Sequence, residues 1–341
     1  MDRFLIGADC EVLVGSGLVD PILPPSTRRR WAPVLTQPGA VEVARRVADL
    51  LRAEGLDTAV HVLPDRDDAK TLAAVESVYR WLGSLGVGRF DTLVTVGGGA
   101  VTDAGGFVAG TWMRGIEVVH LPTTLLAAVD ASIGGKTAVN IGGKNLVGVF
   151  WHPRRVVVDL DVMAALPEDL KREGAAEAIK AGFLADRGIV DAYLAGGVTV
   201  DPADVVTRAV AVKAAIVDED FTERGRRALL NLGHTVGHAI EFATGISHGC
   251  AVAVGLVAAA AVSSRRLGFE DLNLVTEVLD TIGLPTRSPA ADRDEVMRLV
   301  GLDKKREAGQ VRMVLLEAIE VPRLVPVDGD DLRYGLESVG L

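Results

Sequence analysis

This chain of 341 residues has little of several features that mark protein classes. Its only cysteines, Cys10 and Cys250, cannot form the disulfide framework of a small secreted domain. Aromatic residues make up 4% of the chain, and 36 basic residues face 46 acidic ones, for a formal net charge of -10. Nucleic-acid-binding proteins normally carry a basic face. We therefore expect a cytoplasmic protein with no nucleic-acid partner.

Long hydrophobic runs are also missing. The most apolar run, AVAVGLVAAAAV at 251–262, is shorter than the roughly 20 residues that cross a bilayer. The start, MDRFLIGADCEVLVG, lacks the basic segment and long apolar core of a signal peptide. We predict a buried core helix at 251–262 and no membrane association. A hydrophobic content of 49% is enough for two domains with buried cores.

The first half alternates short β-branched runs with amphipathic segments, which is typical of α/β units around a largely parallel sheet. Beyond about Leu166, Ala-rich helical patterns take over. We therefore predict an N-terminal α/β domain with a mostly parallel sheet at 1–163 and a mainly α-helical C-terminal domain at 164–341. The predicted strands are 32–35, 59–63, 92–96 and 118–121, and the predicted helices are 40–54, 69–85, 102–112, 170–184, 202–218, 226–243, 249–267 and 271–282.

A glycine triplet follows one predicted strand, in VTVGGGAVTDAGGF. Glycines at 97–99 let the backbone approach a phosphate closely, and the helix after them offers free amide donors and the positive end of its dipole. The spacing is not the GxGxxG of dinucleotide-binding folds, and a plain glycine-rich turn is the alternative. We interpret the motif as a pyrophosphate site because of the segment that follows.

That segment, HLPTTLLAAVDASIGGKTAVNIGGKNLVGVFWHP, is rich in anion-binding side chains. Thr123 and Thr124 follow a strand and can bind phosphate or ribose. Lys136, Lys144 and Asn145 lie in glycine-rich loops, where apolar packing would not select them. Solvated loop lysines are the alternative for each one taken alone.

The helical pattern REGAAEAIKAGFLAD places Glu177 and Lys180 three residues apart, on one face. An exposed Glu–Lys pair is the ordinary explanation of such a spacing. Here the flanking residues are small or apolar on all sides, so we predict a buried helix whose two charges serve a purpose.

Three of the six histidines fall in LLNLGHTVGHAIEFATGISHG. His234 and His238 are four residues apart and would stack on one helical face, which could hold a metal. The HExxH motif of zincins is absent, because Thr235 stands where it has glutamate. Two packed histidines are the alternative, but Arg227 and Asn231, seven and three residues upstream of His234, point to a polar face that meets something anionic.

Together these motifs resemble the sugar phosphate cyclase family, and within it the 3-dehydroquinate synthases. The resemblance is strongest from Gly97 to Lys180 and from Lys213 to Cys250, with weaker similarity in EVLVGSGL and LDKKREAGQVRMVLL. It implies a dehydroquinate synthase-like fold, with an NAD-binding α/β domain, a mainly helical metal-binding domain, an active site in the cleft between them, and a homodimer.

The resemblance also implies residue roles. The zinc ligands, with cobalt as an alternative metal, would be Glu177, His234 and His248, whereas His238 would handle protons near the substrate phosphate. Many relatives hold the adenosine ribose with Asp or Asn after the first interior strand, where this chain has Gln37 in LTQPGA. The NAD-binding residues would be Asp67, Lys70, Gly98, Gly99, Asp103, Thr123, Thr124 and Lys144.

For the substrate, the resemblance implies a phosphorylated sugar acid. The fixed guanidinium of Arg227 suits bidentate binding of a carboxylate, which favours a carboxylated substrate. Arg114 would reach the phosphate from the neighbouring subunit. The implied catalytic residues are Asp130, Asn145, Lys180 and His238, and the implied substrate-binding residues are Arg114, Lys136, Lys213, Arg227, Asn231 and one of Lys304 and Lys305.

The implied reaction converts 3-deoxy-D-arabino-heptulosonate 7-phosphate to 3-dehydroquinate and phosphate by transient NAD-dependent oxidation, β-elimination, reduction and aldol closure. An amino-dehydroquinate synthase acting on the 4-amino analogue is the main alternative. A metal-dependent polyol dehydrogenase and an inactive binding protein are the others. Relatives often carry Glu after the His-Gly of the last ligand, where this chain has Cys250; we expect a small buried residue there, with a zinc thiolate as the alternative.

Overall fold

The computed structural model describes residues 1–17, 22–304 and 310–341, without the side chains of 302–304. The chain forms two compact units. The first contains Met1–Leu166 and Lys213–Thr222, and the second contains Pro167–Val212 and Glu223–Leu341. The first division lies three residues beyond the predicted domain boundary at 163, and the segment Lys213–Thr222 belongs to the first unit.

The first unit is built on a seven-stranded sheet in the order β1-β2-β9-β6-β5-β3-β4. All neighbouring strands are parallel except β1 and β2. A separate antiparallel hairpin pairs β7 with β8. The elements are β1 (Asp2–Ile6), β2 (Cys10–Gly15), β3 (Val34–Thr36), α1 (Val41–Ala53), β4 (Val60–Val62), α2 (Leu72–Leu85), β5 (Thr92–Gly97), α3 (Gly99–Thr111), β6 (Glu117–Pro122), β7 (Lys136–Val139), β8 (Val147–Phe150), β9 (Arg155–Asp159) and α4 (Leu160–Ala164).

Strand β5 shows why the sheet is parallel and covered on both faces. All six of its residues, TLVTVG, are buried, as expected for a central strand that has helices on each side. Helix α1 packs through Ala44, Val47, Ala48 and Leu51, which recur on one face at helical spacing. The predicted parallel α/β fold is confirmed, whereas β1, β2, β7, β8 and β9 were not predicted.

The second unit is mainly helical. Its helices are α5 (Glu168–Ala185), α6 (Arg187–Gly196), the first part of α7 (Pro202–Glu219), α8 (His234–Thr244), α9 (His248–Leu267), α10 (Leu272–Thr281), α11 (Arg293–Lys304) and α12 (Gly329–Ser338). The expectation that strands end near Leu166 is wrong. An antiparallel pair, β10 (Val311–Ala318) and β11 (Val321–Val327), adds a small sheet, with four successive buried residues in β10.

Helix α9 forms the core of this unit, as predicted from its apolar run. By length and composition it is the one described helix that could cross a membrane, but 72% of its most apolar window is buried inside the protein. Gly255 lets α8 approach it closely, because a Cβ there would lie 1.9 Å from the carbonyl oxygen of Gly233. The first turn of α8 is therefore held against α9.

The single helix predicted at 226–243 is broken in the structure. A 3₁₀ helix covers Arg226–Asn231, and Gly233 then adopts the left-handed conformation (φ +79°) before α8 begins at His234. Arg227 and Asn231 are thus not on the helical face that carries His234. The periodicity continues across the break, which is why the pattern resembled one helix.

Candidate metal centre and dinucleotide cradle

Three imidazoles converge in the second unit. His234 and His238 lie one turn apart on α8, and Gly245 (φ +72°) ends that helix so that the chain can turn and begin α9 at His248. The potential ligand atoms of the three histidines lie within 4.8 Å of one another. The chain reversal, which spacing alone does not reveal, brings His248 to the other two.

Glu177 reaches this cluster from α5. Its Oε1 lies 3.3 Å from His234 Nε2 and 3.2 Å from His248 Nε2, and its Oε2 contacts the ammonium of Lys180. The side chains of Glu177 and Lys180 are only 1% and 3% exposed. The alternative of an exposed Glu–Lys pair is therefore wrong, and the carboxylate lies between a cation and two imidazoles.

His234 and His248 are both oriented by a partner at Nδ1. His234 Nδ1 lies 3.1 Å from the carbonyl oxygen of Leu232, and His248 Nδ1 lies 3.1 Å from a carboxylate oxygen of Glu241. These acceptors hold a proton on Nδ1 of each ring, so Nε2, which faces Glu177 Oε1 in both, is the nitrogen left to bind a metal. Two imidazole nitrogens and a carboxylate oxygen are a donor set that suits zinc or cobalt.

The electrostatics of the cluster follow from burial and proximity. Burial alone would raise the pKa of Glu177, but Lys180 and the imidazoles outweigh it and hold that pKa well below its usual value. Burial would lower the pKa of His248, but hydrogen bonds to Glu177 and Glu241 raise it to about 10. His238 is exposed, but partial withdrawal of its ring from water, together with the charges of His234 and His248, lowers its pKa.

Cys250 differs from expectation. It is half-buried rather than buried. It lies in the first turn of α9, as does His248, whose side chain is 31% exposed. Among the described residues, the close group of potential ligand atoms comprises the three histidines, without Cys250 or Glu177, and Glu177 joins it through its contacts with His234 and His248.

In the first unit, a polar edge lies where parallel strands end. Strands β3, β5 and β6 end at the same edge, and the Thr123 amide donates to the Gly97 carbonyl across it at 2.9 Å. Gly98 is the N-cap of α3, and no side chain caps that helix, so its first amides remain available to an anion. A Cβ at Gly98 would lie 3.3 Å from the Thr124 methyl, so glycine keeps this approach open.

Charged pairs surround this edge. Lys70 donates to Asp103 at 2.6 Å and to Asn145, and its side chain is 6% exposed. Burial raises the pKa of Asp103 despite the opposing effect of Lys70. Further out, Lys144 pairs with Asp67 at 3.2 Å, and both side chains are more than half exposed. The residues predicted to hold a dinucleotide therefore lie close together.

Models of two family domains cover most of the chain. The N-terminal domain of 3-dehydroquinate synthase matches residues 60–173, and the C-terminal domain of the same enzyme matches residues 174–306. The chain belongs to the 3-dehydroquinate synthase family. It is 42% identical to a 3-dehydroquinate synthase from Saccharopolyspora erythraea, over 92% of this chain and 88% of that protein. It is 40% identical to another from Corynebacterium pseudotuberculosis, over 96% and 95% of the two chains.

Solved structures share the fold. A 2-deoxy-scyllo-inosose synthase complexed with carbaglucose-6-phosphate, NAD⁺ and Co²⁺ is 26% identical, with a TM-score of 0.88 and full coverage of both chains. A 2-epi-5-epi-valiolone synthase from Streptomyces hygroscopicus with NAD⁺ and Zn²⁺ bound is 23% identical, with a TM-score of 0.87 over 99% of each chain. An NADH-dependent butanol dehydrogenase from Thermotoga maritima is more distant, at 17% identity and a TM-score of 0.68, with 100% and 99% coverage.

The remaining residues that the family resemblance selected lie in both units. In the first unit, Lys213 donates to Asp130 at 2.5 Å, and the Thr124 hydroxyl accepts from the Ala127 amide at 3.2 Å. Arg114 and Lys136 are exposed there. In the second unit, Arg227 is fully buried, and Asn231 donates to Glu223 at 3.1 Å. The Lys304 side chain and all of Lys305 lie outside the described residues.

Three polar residues of these sites were missed or left without a role. Glu241 holds His248, and its signal was the HTVGHAIE spacing, which puts it on the helical face of His234. Glu223 accepts from Asn231, without any periodic signal in the sequence. The Gln37 amide donates to the carbonyls of Pro64 and Arg66, at 3.4 and 3.2 Å, so it anchors the loop that leads to Lys70.

Proposed function

We propose that this protein is a 3-dehydroquinate synthase of the shikimate pathway, which converts 3-deoxy-D-arabino-heptulosonate 7-phosphate to 3-dehydroquinate and phosphate. The observation that carries the proposal is the buried Glu177, whose Oε1 lies within 3.3 Å of two oriented imidazole nitrogens while Lys180 contacts its Oε2. Relatives about 40% identical over most of the chain bear that enzyme's name. The matching family models and these relatives carry the 3-dehydroquinate synthase name, so the 4-amino substrate is the less favoured alternative.

The cofactors of the proposed reaction are NAD and zinc, with cobalt as a substitute. When bound, the metal supplies Lewis acidity and NAD supplies a reversible hydride acceptor. Glu177, His234 and His248 would hold the metal, because each presents a donor atom to one point. The uncapped amides at Gly98 and Gly99 would hold the pyrophosphate, and the residues predicted beside them, namely Asp67, Lys70, Asp103, Thr123, Thr124 and Lys144, would complete the NAD site.

The protein's own groups would bind substrate and move protons. Arg227 presents a fixed guanidinium to the substrate carboxylate. Lys180, held beside Glu177, donates to a substrate oxygen near the metal position. His238, on the same helical face as His234, would handle a proton near the phosphate. Asp130 and Asn145 orient the substrate, and Lys136, Lys213 and Asn231 bind it. Its phosphate is bound by Arg114 of a second subunit and one of Lys304 and Lys305.

We also propose two functional domains, 1–163 for NAD and 164–341 for metal and substrate, in a cytoplasmic homodimer. In such a dimer, the exposed Arg114 would reach the substrate phosphate in the neighbouring subunit. Sedimentation equilibrium of the purified protein tests the dimer. A monomer at micromolar concentration would contradict it.

The test of the function is phosphate release from the 4-hydroxy and 4-amino heptulosonate phosphates, assayed side by side with NAD⁺ and Zn²⁺. We expect fast release from the 4-hydroxy compound, formation of 3-dehydroquinate, and no net NADH, because the hydride returns within each turnover. Preference for the 4-amino compound would support the amino-dehydroquinate synthase instead. Stoichiometric NADH without phosphate release would indicate a polyol dehydrogenase.

A further inference from the structure

Helix α8 carries a third polar residue on the face of its two histidines. Glu241 lies seven residues after His234 and three after His238, so all three side chains project to the same side. The Glu241 side chain is 12% exposed, and its Oε2 lies 3.1 Å from His248 Nδ1. A carboxylate that is largely withdrawn from water is costly unless it has such partners.

The His248 ring, which is hydrogen-bonded to Glu241 on one side, has a second carboxylate partner on the other. His248 Nε2 faces Glu177 Oε1 at 3.2 Å, so one imidazole spans two carboxylates. A proton on Nδ1 satisfies Glu241, so Nε2 is the nitrogen that would give up its proton to bind a metal at the point that Glu177 and His234 also face. The partner on Nδ1 therefore selects the tautomer that can bind a metal.

His234 and His248 are held in different ways. His234 is 11% exposed, and its Nδ1 faces a backbone carbonyl within its own turn. His248 is 31% exposed at the first position of α9, and its Nδ1 partner is a side chain on another helix. A ring with that exposure can rotate towards solvent, so it depends more on its hydrogen-bond partner than His234 does.

We propose that Glu241 is a positioning residue for the metal centre, which acts through His248 by fixing its tautomer and orientation and by increasing the basicity of Nε2. The proposal rests on the metal-binding part of the proposed function. Outer carboxylates of this kind typically contribute 10- to 100-fold to metal affinity. Glu241 itself is not a ligand in this assignment.

The test compares the full-length Glu241→Ala and Glu241→Gln variants with wild type. Zn²⁺ affinity is measured by competition with a chromophoric chelator, and the visible spectrum is recorded for the Co²⁺-loaded proteins. We expect about 10- to 100-fold weaker Zn²⁺ binding and shifted Co²⁺ bands for alanine. Glutamine should give an intermediate loss, because its amide oxygen can still accept from Nδ1 but carries no charge.

Glu270→Gln is the matched control, since it removes an exposed carboxylate just beyond α9. It should leave both measurements unchanged. NAD⁺ affinity and the circular dichroism melt show whether each variant is folded, and the glutamine variant decides the question if the alanine variant is not. Wild-type Zn²⁺ affinity and an unshifted Co²⁺ spectrum in Glu241→Gln and in any folded Glu241→Ala would overturn the proposal. Wild-type protein that binds no metal would instead overturn the proposed function.

Discussion

The two candidate sites use different parts of the protein to present their chemistry. At the edge of the first unit, the donors are backbone amides at Gly98 and paired side chains, such as Lys144 with Asp67. In the second unit, the donors are side chains on three helices, and Glu177 is 1% exposed. Backbone amides suit an anionic ligand of extended shape, whereas convergent imidazole and carboxylate groups suit a point charge. A mutation in one site should therefore weaken ligand binding there and leave ligand binding at the other site unchanged.

The largest expected effect tests the metal side of this contrast. Glu177→Gln removes the charge that faces both imidazoles, and we expect phosphate release to fall by at least about 10³-fold, which corresponds to about 4 kcal/mol of lost stabilisation. Zn²⁺ affinity should fall while NAD⁺ affinity stays unchanged. Glu168→Gln, exposed at the start of the same helix, is the control. Equal losses in the two variants would contradict the assignment of Glu177.

The next effect distinguishes a buried ion pair from an exposed one within the first unit. Lys70→Met leaves Asp103 without its cation, and we expect the free energy of unfolding to fall by about 3 kcal/mol. Lys144→Met, in an exposed pair, should cost at most about 1 kcal/mol. Denaturant unfolding measures both. The double variant Lys70→Met/Asp103→Asn should regain much of the loss, and no recovery would mean that Asp103 is not the affected partner.

A smaller effect tests the backbone cradle. Gly98→Ala adds a methyl group 3.3 Å from Thr124, so the chain must shift slightly where the amides face the ligand. We expect NAD⁺ to bind about tenfold more weakly, or about 1.4 kcal/mol, with Zn²⁺ affinity unchanged. Intrinsic fluorescence titration measures the change. Gly301→Ala, where a Cβ meets nothing within 4 Å, should bind NAD⁺ as wild type does.

The smallest effect concerns Glu11, a carboxylate that lies away from both candidate sites and so contrasts with Glu177. Hydrogen bonding to Arg155 lowers the pKa of Glu11, so that pair stabilises the fold above the ordinary value of 4.5 and the stabilisation is lost as pH falls through the lowered pKa. Glu11→Gln should cost about 1 kcal/mol at neutral pH. The difference in stability between Glu11→Gln and wild type should vanish in acid, and the affinities for Zn²⁺ and NAD⁺ should be unchanged. A difference that grows in acid would show the opposite sign of linkage.

Local patterns predicted much of this arrangement. The buried run of β5 and the glycines after it correctly indicated the strand end, and they predict an anion site there, because both signals lie within a dozen residues. The small residues around Glu177 and Lys180 predicted a buried charged pair. The break at Gly233 was missed because hydrophobic spacing continues across it, and β10 and β11 were missed because their apolar residues follow a long helical region.

By itself, the sequence determined the parallel α/β core, the helical second half, the glycine cradle and the kinds of residue available to hold a metal. These properties depend on hydrophobic period and local backbone preference, which are written in consecutive residues. The family resemblance grouped Glu177 with His234 and His248, but only the tertiary structure decided how they meet and that Glu241 holds His248. These contacts join residues 7 to 71 positions apart across helix packing and a chain reversal, and distances between separate elements are set by packing rather than by spacing along the chain.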